Sequence, residues 1–155
     1  MLSENKTITF LSVLAAVLFV FAFFMVIFYA PIEVNMGLVQ KVFYFHMSAA
    51  WVGMLAFLMA AVFGILYLVH KDLKWDRLLA SSVEIGLLFT VICILSGMIW
   101  ARPIWNTWWT WDPRLTTVTI MAFTYIAFIL LRRSMDEPSK RAQFSAIYAI
   151  IGFVT

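Results

Sequence analysis

Charge is what this sequence has least of. Only 12% of its 155 residues are Asp, Glu, Lys or Arg, where a soluble domain of similar length carries about a quarter. A chain so poor in charge cannot cover a water-facing surface, so most of its apolar residues, 65% of the total, must meet lipid. Cysteine is almost absent as well. Cys93 alone excludes an intrachain disulfide and any thiolate metal cluster. The net charge of +3 is small, and its cations fall in short stretches between apolar runs, which excludes a nucleic-acid surface. Nothing resembles a P-loop, a nucleophile–base–acid triad or a pair of carboxylates, so no bond-making chemistry is expected.

What the chain does have is length in its apolar runs. Thr7–Ala30, Phe45–Val69, Leu79–Trp100 and Leu115–Leu131 are long enough, or nearly so, to cross a bilayer, which takes about 20 helical residues. The last of them can be lengthened from Pro113. A fifth run, Ala142–Thr155, reaches roughly 21 Å at about 1.5 Å per residue, short of a hydrocarbon core of about 30 Å. The expectation is an all-α, polytopic transmembrane helix bundle: one membrane domain over residues 1–155, with four complete spans and a fifth helix cut short. The first run is too long for the apolar core of a secretory signal and lacks a small-residue cleavage site, so it is read as a retained helix.

Basic residues orient the bundle. The N-terminus, His70–Leu78 and Arg132–Arg141 together hold eight Lys and Arg, whereas Pro31–Tyr44 and Ala101–Arg114 hold only Lys41, Arg102 and Arg114. This asymmetry predicts a cytoplasmic N-terminus, with the Pro31–Tyr44 and Ala101–Arg114 loops outside.

Five of the seven tryptophans, Trp100, Trp105, Trp108, Trp109 and Trp111, fall in one short stretch. Indoles favour the headgroup level, so the segment Ala101–Asp112 is expected to lie flat along the interface. Two readings remain open: an aromatic belt, or a flat platform with N–H donors for a planar ligand. Asp112-Pro113 reads as an N-cap followed by a first-turn proline, a start signal for the fourth helix. Arg114 then sits where the helix dipole disfavours a cation. Arg102 stands at the other end of the loop. Each arginine either snorkels to lipid phosphates or pairs with the carboxylates of a bound ligand.

His46 opens the second helix on the same side as the tryptophans. Its helical face continues through Ala49, Ala50, Gly53, Phe57, Ala60, Ala61 and Gly64, a stripe of mostly small residues that admits a neighbouring helix or the edge of a bulky ligand. An imidazole there is either hydrogen-bonded to a neighbour or functional. His70, at the opposite helix end, is expected to be solvated. Glu84 is expected to be buried near the cytoplasmic end of the third helix, paired with a loop cation or hydrogen-bonded within the bundle. Cys93 is expected to pack as a small apolar residue.

The segment Trp105-Asn106-Thr107-Trp108-Trp109-Thr110-Trp111-Asp112-Pro113-Arg114-Leu115-Thr116 resembles the tryptophan-rich WWD signature of haem-handling proteins. It is most similar to that of the cytochrome c maturation protein C (haem exporter protein C) family. Tyr44-Phe45-His46-Met47-Ser48-Ala49-Ala50-Trp51 resembles the same family's first external histidine segment, and the helix order fits throughout. Asn106 stands where the family usually carries Gly.

The resemblance implies six helices in the whole protein and a place in the bacterial inner membrane, with the WWD loop periplasmic. It implies non-covalent, transient binding of haem b, with His46 as an axial ligand of the iron. Trp105, Trp108, Trp109 and Trp111 would form the platform, and Arg102 and Arg114 would meet the propionates. A second histidine from beyond Thr155 would complete the axial pair. The implied partners are a membrane-anchored periplasmic haem chaperone, ABC transporter subunits, a small single-span membrane subunit and the bilayer. The alternatives are a WWD-type cytochrome c synthase subunit, and a transporter or anchor subunit without haem ligation.

Overall fold

A computed structural model describes residues Leu2–Val154, with side chains from Lys6 onward. The described residues form α1 (Leu2–Phe24), which passes into a π-helical turn (Met25–Tyr29), then α2 (Gln40–His70), α3 (Leu73–Trp105), α4 (Pro113–Arg133) and α5 (Pro138–Val154). No strand forms among them. Four helices are long and apolar enough to cross a membrane, and α5 starts a fifth element, as the apolar runs predict.

The connection between α2 and α3 is two residues long, which forces the helices antiparallel. Lys71 ends α2 in the left-handed region, φ 56°, and its N–H closes on the Tyr67 carbonyl at 2.8 Å. Asp72 then caps α3 by accepting from the Lys74 N–H at 2.8 Å. The small-residue stripe of α2 is its buried face: Ala49, Gly53, Phe57, Ala60, Ala61 and Gly64 are all buried. Close approach to α3 depends on Gly86, where an added Cβ would lie 2.5 Å from the Phe57 ring. Phe57 stacks on Tyr125 of α4, with centroids 3.8 Å apart and planes 3° from parallel. That pair ties α2 to α4 across the middle of the bundle. α1, by contrast, is exposed along its described length, a surface suited to lipid.

Two helices run further than expected. α2 begins at Gln40, not Phe45, and α3 continues through Trp105. Five of the twelve residues expected to lie flat, Ala101–Trp105, are therefore the end of a helix. Pro103 lies in the last turn of α3, which ends two residues later. The stop comes at Asn106, φ 53°, and Arg102 Nη1 donates to the Asn106 side-chain oxygen one turn on.

The expectation for Glu84 is corrected. It is exposed and makes no ion pair among the described residues, whereas the buried carboxylate on α3 is Asp76, 2% exposed. Helical register decides this: Asp76, Leu79, Val83 and Gly86 share the buried stripe, and Glu84 falls one position off it. Asp76 receives both ends of the Arg132 guanidinium, at 2.6 and 2.7 Å, and Arg132 also donates to Ser145 Oγ at 2.8 Å. α3, α4 and α5 are thereby bolted together at the basic end.

Candidate ligand cavity at the tryptophan end

The end of α3, the start of α4 and the loop between them meet the first turns of α2, and enclose a cavity of about 250 Å³. His46, Cys93, Gly97, Trp100, Trp105, Trp108, Trp109, Asp112 and Arg114 are among its lining residues. A second cavity of about 380 Å³ shares Ala50, Cys93 and Val118 with it and runs down to Phe57. Together they fall within the range of about 300–1,000 Å³ usual for small-molecule sites.

His46 is held firmly. Its Nδ1 lies 2.9 Å from the Cys93 carbonyl oxygen, 3.4 Å from Ser96 Oγ and 3.7 Å from Cys93 Sγ. A carbonyl only accepts, so Nδ1 carries the proton and donates. In the neutral ring Nε2 is then the lone-pair nitrogen, and among the described residues nothing hydrogen-bonds to it. This is how a metal-binding imidazole is normally oriented. The ring lies nearly parallel to Trp100, at 6.3 Å and 13°. It fits against α3 only because position 97 is glycine: a Cβ there would stand 2.9 Å from His46 Cε1.

Around the imidazole the tryptophans build walls edge-on. Trp100 meets Trp105 at 5.2 Å and 78°, and Trp109 meets Trp111 at 5.7 Å and 79°, the T-shaped geometry that aromatic quadrupoles favour. The indole N–H groups of Trp100 and Trp109 are buried without a partner. A buried donor left unpaired is costly, and two of them lining one cavity fit a ligand that accepts hydrogen bonds.

Asp112 caps α4 as the sequence predicts, accepting from the N–H groups of Arg114 at 2.9 Å and Leu115 at 3.1 Å. Its carboxyl is held below the ordinary aspartate value, first by the Leu115 backbone N–H, against some desolvation, and further by Arg114 and Thr110. Arg114 bonds Asp112 at 3.3 Å and lies 5.7 Å over the Trp105 ring. Arg102 sits 5.9 Å over Trp108. Both cations are thus stacked on the aromatic wall.

Of the residues expected at this site, His46, Trp105, Trp108, Trp109, Asp112 and Arg114 are brought together around the cavity. Trp111 and Arg102 are not among the lining residues, and Trp111 is 73% exposed. His70 lies at the far end of α2, its Nδ1 3.0 Å from the Leu66 carbonyl. Three contributions were missed: Trp100 as wall, Gly97 as the seat of the imidazole, and the Cys93 carbonyl as its anchor. Their signal was present. Gly86, Thr90, Cys93 and Gly97, spaced four, three and four apart, form a small-residue stripe on α3 facing that of α2.

Fold and cavity together define a multi-pass membrane protein with a histidine set in a tryptophan-walled cleft at one end. The family model described as "Heme exporter protein C" matches residues 1–155, and the chain belongs to that family. It is 31% identical over 125 residues to the Heme exporter protein C of Bradyrhizobium diazoefficiens, covering 81% of this chain and 48% of that protein. Against the Escherichia coli K12 protein of the same name it is 31% identical over 126 residues, covering 81% and 51%. A putative cytochrome c biosynthesis ccmC-like mitochondrial protein of Marchantia polymorpha is 29% identical over 133 residues, covering 86% and 56%. The chain spans about half the length of these relatives.

Proposed function

We propose that this chain holds haem b, non-covalently and transiently, with Nε2 of His46 as an axial ligand and the tryptophan walls around the macrocycle. The observation that carries this reading is the commitment of His46 Nδ1 to the Cys93 carbonyl, which leaves the other nitrogen as a lone pair at a cavity. The donor set fits the group. Among the described residues no three of His, Cys, Asp and Glu gather to cage a bare metal ion, whereas a haem iron needs only axial ligands. Trp100 and Trp109 offer unpaired N–H donors at the cavity, and Arg114 offers a cation for a propionate, with Arg102 reachable by leaving Trp108. Haem supplies an iron with exchangeable axial positions; the chain's own work is to bind, orient and release it.

His70 does not supply the second axial position. The other histidine, His70, is separated from His46 by 24 residues of α2, about 36 Å of helix. The count of basic residues supports a cytoplasmic N-terminus and a tryptophan loop on the periplasmic side of the bacterial inner membrane. From there the bound haem would be presented to a membrane-anchored haem chaperone, beside ABC transporter subunits and a small single-span membrane subunit. Delivery of this kind requires no catalysis by the chain.

Optical spectra of the full-length protein, purified with haem, test the ligand. His46→Ala is expected to shift the spectrum towards high spin and lower haem retention. His46→Gly with added imidazole should recover much of it, and His70→Ala should change neither. An unaltered low-spin spectrum at normal occupancy in His46→Ala would overturn the assignment.

A further inference from the structure

The basic end carries a cavity of its own, of about 250 Å³, between α3, α4 and α5, lined in part by Ala80, Glu84, Phe128, Arg133 and Arg141. Arg132 also borders it, but its guanidinium is engaged by Asp76 and Ser145. The other charges are not engaged. Among the described residues, Glu84, Arg133 and Arg141 make no ion pair within 4.0 Å, and Arg141 Nε is buried with no hydrogen-bond partner. A carboxylate on a membrane-spanning helix is costly without a partner. Two cations and one anion therefore border a single space without reaching one another.

We propose that this cavity receives the headgroup of an aminophospholipid. The phosphodiester lies against Arg133 and Arg141, the primary ammonium against Glu84, and the glycerol end against Phe128. Helix direction favours this arrangement. Side chains lean towards the N-terminus of their helix, so Glu84 on α3 leans towards the basic end, where Arg133 closes α4 and Arg141 opens α5. A plain anion would answer the arginines and leave Glu84 repelled, whereas a zwitterion answers both signs. The size of the space argues against a protein partner, since a transmembrane helix is about 10–12 Å across with its side chains and does not fit such a volume.

Native mass spectrometry of the full-length, delipidated protein tests this, with phosphatidylethanolamine, phosphatidylcholine and phosphatidylglycerol of identical chains and with inorganic phosphate. Phosphatidylethanolamine should be retained about fivefold better than phosphatidylcholine, the effect of one charge contact near a membrane surface. Glu84→Gln should bring that ratio close to one while phosphatidylcholine retention stays unchanged, which also shows the variant folded. Arg133→Gln combined with Arg141→Gln should lower retention of both. The proposal fails if the wild type does not distinguish the two zwitterions, or if Glu84→Gln leaves the preference intact. It fails equally if phosphatidylglycerol or inorganic phosphate competes as well as phosphatidylethanolamine, which would make this a simple anion site.

Discussion

Two polar clusters of the bundle, the Asp76–Arg132–Ser145 network and the group around His46, are satisfied in opposite ways. At the basic end, Asp76, Arg132 and Ser145 satisfy one another inside the protein and lock three helices together. At the tryptophan end, the indole N–H groups of Trp100 and Trp109 are left without partners beside a cavity that His46 also lines. The first arrangement is complete in itself and resists change. The second is held by aromatic edges and α3, and its indole N–H groups have no partner among the described residues.

The contrast breaks most severely at the ion pair. Asp76→Ala leaves Arg132 as an uncompensated charge and should destabilise the protein by about 3–5 kcal/mol. Thermal unfolding in detergent measures this, and retention of full stability would mean that the basic end is not the bolt described here.

Gly97→Ala sharpens the comparison, because its added Cβ strikes His46. Overpacking of this kind costs about 1–3 kcal/mol. Gly86→Ala, whose Cβ strikes Phe57, should cost a similar amount. Only the Gly97 variant should alter the haem spectrum, and identical spectra in both would separate the imidazole from the ligand.

Trp109→Phe removes an N–H that has no partner in the protein, so stability should fall by no more than about 1 kcal/mol, the worth of an aromatic edge contact. Haem retention should fall further than stability does, as equilibrium titration with haem would show.

The smallest effect concerns acid. The Asp112 carboxyl is lowered in the folded protein, so its cap contributes fully above the ordinary value of 3.8 and is lost as pH falls below it. Limited proteolysis of the 106–112 segment should therefore accelerate only below about pH 4, and Asp112→Asn should flatten that dependence.

Much of this was legible from residues alone. Apolar runs fix the number of helices because no alternative satisfies backbone groups in lipid. The stripe on α2 fixed its buried face, and Asp112-Pro113 marked the start of α4 to the residue. The side chains that surround His46 were only half legible. Position 106 illustrates why. Its left-handed conformation and its bond from Arg102 explain how Asn serves where the family usually has Gly, but neither is visible until α3 is known to run past Pro103. Glu84 was misplaced for a related reason: an acidic residue near a helix end says nothing of its face until the register of the neighbouring helices is known.

Local chemistry thus determined which segments are helical, which of their ends share a side, and which residue types stand at the tryptophan end. Hydrophobicity, helical period and capping act over a few residues, so the sequence expresses them directly. Tertiary structure decided which nitrogen of His46 is free, which tryptophans face the cavity, and which carboxylate is buried. Each of those depends on a contact between residues roughly 50 or more positions apart, such as His46 with Cys93 or Asp76 with Arg132, and only packing sets their register.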